Sequence, residues 1–317
     1  MSSSSWKTIL VAVGDPGARK QVAIAKAARI AARTGASITL FHAFSMPLPP
    51  AAPTDSETLL RSVAKERLDQ LNKRARALRA VGLDVECEVA WDFPAAHAIV
   101  RRVLESAPDL VVAQSHRHSK LARWFLTNSD WDLIRECPCP VWFVKHERLP
   151  KKSLILTAID PTHAHAKPSG LDDRLLQAAT NVMRQLGGRL AVIHVEGIAA
   201  PTRKSMAVQS AATIEAIDRL MERNGVEADR IVRAGEPADV LTTSAAQLNA
   251  DLLVMGAVSR SGLSLSHIGN TAEAVIDAVA SDVLVVKPRQ FKTAVSRKYP
   301  KLGSNQASNR APTRGRR

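Results

Sequence analysis

Residues 251–287, from Asp251-Leu-Leu-Val254 to Val283-Leu-Val-Val-Lys287, repeat residues 109–145, from Asp109-Leu-Val-Val112 to Val141-Trp-Phe-Val-Lys145, without a gap. Working outward, Leu154-Ile-Leu-Thr-Ala-Ile159 answers Thr8-Ile-Leu-Val-Ala-Val13, and Asp160-Pro161 is read opposite Asp15-Pro16. Leu190 to Ile193 followed by His194 answers Thr39 to Phe41 followed by His42, and Pro237-Ala238 answers Pro94-Ala95. One pattern held through five apolar runs is an internal duplication. The runs are short and nearly all Val, Ile and Leu, as expected of parallel strands buried on both faces. Helical stretches separate them, in the first half Ala18–Arg33, Ser56–Ala80, Ala95–Ser106 and a last one near Asp130–Arg135. Right-handed β-α-β crossovers follow. The expected fold is α/β: two tandem, doubly wound parallel-sheet domains, residues 1–148 and 149–290, joined through the polar stretch His146–Lys152.

The 317 residues are 45% hydrophobic, 23% charged and 4% aromatic, which suits packed α/β layers and leaves room for two cores. No apolar stretch reaches the roughly 18–20 residues of a membrane helix. The serine-rich start lacks the pattern of a signal peptide. Cys87, Cys137 and Cys139 are too few for a disulfide framework, so a cytoplasmic location is expected. The net charge of +14 is concentrated at one end: Pro288 to Arg317 holds nine Lys or Arg and no acid, leaving +5 on the rest. Residues 291–317 read as a disordered basic extension, either inert or a weak contact to nucleic acid. The body is not a basic nucleic-acid-binding domain.

In an open parallel sheet a ligand sits beyond the carboxyl ends of the strands. There the second half carries Gly256, Ser259, Gly262 and Gly269, followed by Asn270, Thr271 and Glu273 at a helix start. Glycines let backbone N–H groups approach phosphate oxygens, and a helix N-terminus favours negative charge. Asn270 or Thr271 serves equally well as a plain helix cap with Glu273 in the first turn.

These features resemble the universal stress protein family. Its nucleotide-binding members carry Gly, two residues, Gly, nine residues, then Gly followed by Ser or Thr. Here Gly256 and Gly269 match, Ser259 stands at the middle glycine, and the hydroxyl is shifted to Thr271. Asp160 matches the acidic contact to the nucleotide. Trp124 to Lys145, with Asp130-Trp131, Cys137-Pro-Cys-Pro140 and Trp142, is similar to the first-half signature of the tandem E-type members, and Gly269-Asn-Thr-Ala-Glu273 to the second-half one. The resemblance implies the doubly wound fold of the adenine nucleotide alpha hydrolases, with strand order 3-2-1-4-5 in each half and the halves packed as a pseudo-dimer that is free to dimerise further. It also implies a bacterial stress-response role, including survival of DNA damage, and no enzyme activity beyond a slow ATPase. ATP or AMP, with its accompanying Mg, is assigned to the second half alone.

The first half departs from the pattern. Gln114, Arg117 and Thr127 stand opposite Gly256, Ser259 and Gly269, in the glycine-free loop Gln114-Ser-His-Arg-His-Ser-Lys120. Side chains there fill space that phosphates need. The loop suits either an anion held by His116, Arg117, His118 and Lys120 or a structural role, with Trp124 and Trp131 packing on the other half. Phe44 to Pro53 is proline-rich and placed to cover an apolar pocket, so an apolar or lipid-like ligand stands as the alternative to a nucleotide. His42 and His194 line both crevices or are satisfied strand-end histidines. His116-x-His118 and His163-x-His165 lack the further ligands zinc requires. Cys137-Pro-Cys139 reads as buried thiols. With no catalytic motif and single carboxylates at Asp15 and Asp160, no metal site and no catalytic residue are assigned, and protein partners stay open.

Overall fold

The computed structural model describes residues 6–46, 53–117, 124–125, 128–150, 152–162, 170–197, 203–257 and 270–298. The first half runs β1 (Thr8–Ala12), α1 (Val22–Thr34), β2 (Ser37–Phe44), α2 (Pro53–Ala80), β3 (Val85–Trp91), α3 (Ala95–Ser106) and β4 (Leu110–Gln114). After a two-stranded ribbon of β5 (His116–Arg117) and β6 (Trp124–Phe125), it closes with α4 (Asn128–Glu136) and β7 (Val141–Val144). The second half runs β8 (Leu154–Ala158), α5 (Leu171–Leu186), β9 (Arg189–Glu196), α6 (Arg203–Asn224) and β10 (Asp229–Ala234). It ends with α7 (Pro237–Gln247), β11 (Leu252–Gly256), α8 (Asn270–Ala278) and β12 (Asp282–Val286).

Ten strands form one sheet in the order β10-β9-β8-β11-β12-β7-β4-β1-β2-β3. Each half has the 3-2-1-4-5 order and is parallel throughout, as its Val-, Ile- and Leu-rich strands require. The halves meet where β12 and β7 pair antiparallel, Val283 with Phe143, Leu284 with Trp142 and Val285 with Val141. Instead of one core per half, there is one on each face of the sheet, shared by both halves. Ile30 of α1, Leu71 of α2, Leu175 of α5 and Ile217 of α6 lie in one core, while Val103 of α3, Ile134 of α4, Leu241 of α7 and Val275 of α8 lie in the other. The halves are therefore related by a pseudo-two-fold axis normal to the sheet, at the Trp142–Leu284 rung. Their carboxyl edges point in opposite directions.

Buried polar groups cluster at this seam. Asp282 is 1% exposed. Its Oδ2 accepts Trp142 Nε1–H at 3.0 Å and stands 2.9 Å from Lys26 Nζ; its Oδ1 accepts the N–H groups of Lys145 and His146 at 2.8 and 3.2 Å. Lys26 also donates to the Arg148 carbonyl. Lys145 Nζ donates to the Ile276 and Val279 carbonyls at 2.7 and 2.5 Å, covering the C-terminal end of α8. Burial pushes the Lys145 ammonium down to about 8, against the opposing pull of Asp282 and Asp277. Lys287, the duplicate of Lys145, is likewise held at about 8 by burial, opposed by Cys137 and Glu136. Both stand below their unfolded value of roughly 10.4. Between about pH 8 and 10 the unfolded chain thus binds more protons, and stability should rise with pH there while neither lysine contributes a slope below pH 8. Urea midpoints between pH 7.5 and 9.5 check this, and Lys145→Met is expected to flatten the rise.

The expected disorder from residue 291 does not hold for residues 291–298. Phe291 and Val295 are buried. Glu136 Oε2 accepts Thr293 Oγ1–H at 2.8 Å and the Ala294 N–H at 2.9 Å, and Arg101 donates to the Ser296 and Lys298 carbonyls. The segment is a strap crossing from the second half onto α3 and α4 of the first. Its two apolar anchors, four residues apart, are masked in the sequence by a basic, polar composition; residues 299–317 lie outside the described residues.

Candidate functional site

The carboxyl edge of the second half is built from the ends of β8 and β9. The Ile159 N–H donates to the Ile193 carbonyl at 3.0 Å, and the Ile159 carbonyl lies 3.1 Å from His194 Nδ1. A carbonyl only accepts, so Nδ1 carries a proton toward it. Asp160 follows, 2% exposed. Its N–H donates to Asp172 Oδ1 in the first turn of α5 at 3.1 Å; its Oδ1 lies 3.5 Å from Thr162 Oγ1 and 3.8 Å from His194 Nδ1.

Beside Asp160 lies a cavity of about 290 Å³ lined by Thr162, His194, Val195, Glu196, Gly197, Ala212 and Thr213. Thr213 Oγ1–H donates to Glu196 Oε1 at 2.9 Å. The wall thus carries the Glu196 carboxylate as an acceptor, with the Asp160 carboxylate behind it. Glu196 and Thr213 escape a sequence reading because only the packing of α6 over β9 brings them together. The available signal is that Glu196 ends a buried strand in step with His194, at the place Phe44 takes in the first half.

Gly256 ends β11, and a Cβ there would stand 2.8 Å from Leu171 Cδ2, so the glycine admits the start of α5 against the sheet. The next residue, Ala257, is fully buried, and its carbonyl accepts from Lys287 Nζ at 2.7 Å. The ammonium of Lys287 also lies 4.7 Å from the centre of the Phe291 ring. The glycine segment is therefore anchored where it leaves the sheet and ends at α8, whose first turn holds Asn270 and Thr271. Ser259, Gly262 and Gly269 lie outside the described residues, as do His118, Lys120, His163 and His165.

The first half is arranged differently at each of these points. Gln114 Oε1 accepts the Val22 N–H at 3.2 Å, so the residue in place of Gly256 caps α1 with its own side chain. The Asp15–Asp160 match needs correction. The Val13 carbonyl meets His42 Nδ1 at 2.8 Å just as that of Ile159 meets His194, which makes Gly14 the counterpart of Asp160. Asp15 lies one residue further past its strand, where its side chain is exposed, accepts the Gly17 N–H at 2.9 Å and stands 3.7 Å from Arg67. His42 is stacked on Phe44, and burial lowers its pKa despite the Val13 carbonyl. Trp131 packs against the core beneath α3, α4, α7 and α8, but the tryptophan at the seam is Trp142, with Trp6 edge-on at 6.3 Å.

Burial pushes the Cys137 thiol up to about 12 and that of Cys139 well above its ordinary range, which fits inert core thiols. Among the described residues no group of three His, Cys, Asp or Glu is placed to hold a metal ion. No helix among them is long and apolar enough to cross a membrane.

Comparison with known proteins agrees with this architecture. The chain is 28% identical over 308 residues to Universal stress protein E of Escherichia coli K12, covering 92% of this chain and 96% of that protein. It is 25% identical over 309 residues to the Universal stress protein E homolog of Haemophilus influenzae, covering 89% and 98%. The crystal structure of a functionally unknown protein from Pseudomonas aeruginosa PAO1 superposes with a TM-score of 0.68 at 27% identity, over 90% of this chain and 94% of that one. A universal stress protein from Archaeoglobus fulgidus shares the fold, with a TM-score of 0.63 at 18% identity over 88% and 98%. The model of the universal stress protein family matches residues 5–145 and again residues 155–287. The chain belongs to the universal stress protein family, as a tandem two-domain member similar to Universal stress protein E.

Proposed function

We propose that this protein is a cytoplasmic stress-response protein whose second domain, residues 149–290, binds an adenine nucleotide, while the first domain, residues 1–148, serves as its structural partner. The observation that carries the reading is the acceptor-lined cavity beside Asp160 at the carboxyl edge of the second half. Its carboxylates repel phosphate and accept from amino and hydroxyl groups, so the nucleoside end enters and the phosphates, with any accompanying Mg, extend toward Gly256 and the first turn of α8. At about 290 Å³ the cavity is close to the small end of the roughly 300–1,000 Å³ range of small-molecule pockets, which suits part of a nucleotide. An apolar or lipid-like ligand is less well served by Glu196, His194 and Thr213. The reading is one of binding, with catalysis limited to slow ATP hydrolysis.

Isothermal titration with Mg·ATP tests it. Asp160→Ala and Gly269→Val are each expected to weaken binding at least tenfold while the urea midpoint stays within about 0.5 M of wild type. Equal affinity in both variants would overturn the placement. Native mass spectrometry of the purified chain adds an independent check: a heterogeneous apolar adduct in place of a nucleotide overturns the choice of ligand.

A further inference from the structure

The duplication gives every seam residue a counterpart, and Lys26, Trp142, Asp282 and Leu284 are among those that differ from theirs. Asp282 takes the place of Pro140, and Leu284 that of Trp142. Helix ends at Gly35 and Gly187 align α1 with α5 and put Ala178 where the first half has Lys26. The central rung lies on the pseudo-two-fold axis and sets a tryptophan against a leucine. Nearby, the carboxylate of Asp282 from one half receives the ammonium of Lys26, the indole N–H of Trp142 and two backbone amides from the other. The side chains of Lys26 and Asp282 are 4% and 2% exposed, so each needs its partner in a place water does not reach.

Two first halves pairing through β7 would set Trp142 against Trp142 and offer Pro140 to two buried lysines and two indoles. Two second halves pairing through β12 would set Leu284 against Leu284 and bury two Asp282 carboxylates facing Ala178. The first arrangement is overpacked and the second underpacked, and both strand charges. We infer that the seam selects its partner: a first half accepts a second half and rejects another copy of itself, through Lys26–Asp282 and Trp142–Leu284, which complement each other only across unlike halves. Specificity is built from what the wrong pairing would bury as much as from what the right one satisfies. The β7 and β12 edges are thereby reserved for pairing within one chain.

Five full-length chains test this: wild type, Lys26→Met, Asp282→Asn, the double variant, and Leu284→Trp, which gives the second half its counterpart's residue. Each single charge variant is expected to lower the urea midpoint by about 1 M or more, and the double by no more than the larger single loss. Losses that simply add overturn the inference. Where a single variant fails to fold, recovery of folded protein in the double supports it, and no recovery overturns it. Leu284→Trp is expected to lower the midpoint and to give a species of doubled chain mass by light scattering as the two edges open. A wild-type midpoint and mass for Leu284→Trp overturns the size complement.

Discussion

Asp92→Ala is expected to lower stability by about 3–5 kcal/mol, enough to cancel much of the margin of an ordinary domain. Asp92 is fully buried; its Oδ2 accepts Arg101 Nε–H at 2.8 Å, and its Oδ1 accepts the Phe93 N–H at 2.8 Å. Removing it leaves a buried guanidinium whose remaining acceptors include the Ser296 and Lys298 carbonyls of the strap. The damage should therefore appear in two places. Urea unfolding will report the global loss, and limited trypsin digestion will report faster cutting at Arg297 and Lys298. Arg101→Met added to Asp92→Ala removes the stranded charge and should regain most of the stability, while the strap stays protease-sensitive because its anchor is gone. A loss below about 1 kcal/mol for Asp92→Ala would show that the pair does not hold the strap.

Gly188→Ala is expected to be as damaging, for a steric reason. Gly188 joins α5 to β9 with φ at +119°, and a Cβ there would lie 2.2 Å from the Ser153 carbonyl oxygen. That carbonyl already accepts the Arg189 N–H at 2.9 Å to start the β8–β9 pairing, so neither partner can yield without breaking the ladder. A loss of about 4 kcal/mol or more, or recovery only as insoluble protein, is the expected outcome. Gly225 supplies the control: its φ is +60° with nothing within 4 Å of a built Cβ, so Gly225→Ala carries only the left-handed backbone penalty of about 1–2 kcal/mol. Comparable losses at the two positions would remove the steric account.

Much of the fold is legible in the sequence because strands buried on both faces need apolar residues at every position, and such runs stand out however they are connected. α3 begins and ends where its periodicity places it. α1 starts at Val22 instead of Ala18, because the Gln21 side-chain amide donates to the Asp15, Pro16 and Ala18 carbonyls and fixes the preceding turn. What the sequence hides are contacts between residues distant along the chain. Nothing local to Lys26 or Asp282 marks them as partners, and the reading of Asp15 as the twin of Asp160 fails because Asp15 stands one residue further past its strand, with Gly14 in the matching place. In the candidate site, Asp160 draws the eye in the sequence from its place after the first strand of its half. Glu196 is not, since its role depends on Thr213 arriving from α6.

The two ends of the described chain are exchanged between the halves. Trp6, just before β1, donates its N–H to Gln185 Oε1 of α5 at 3.0 Å and sets its ring against Trp142, while the strap after β12 lies on α3 and α4. Each half thus carries an arm belonging to the other, like two hands gripping opposite wrists. The halves are thus held by the seam and by these arms as well as by the covalent connection, so a molecule nicked within residues 149–152 would keep both pieces in one particle.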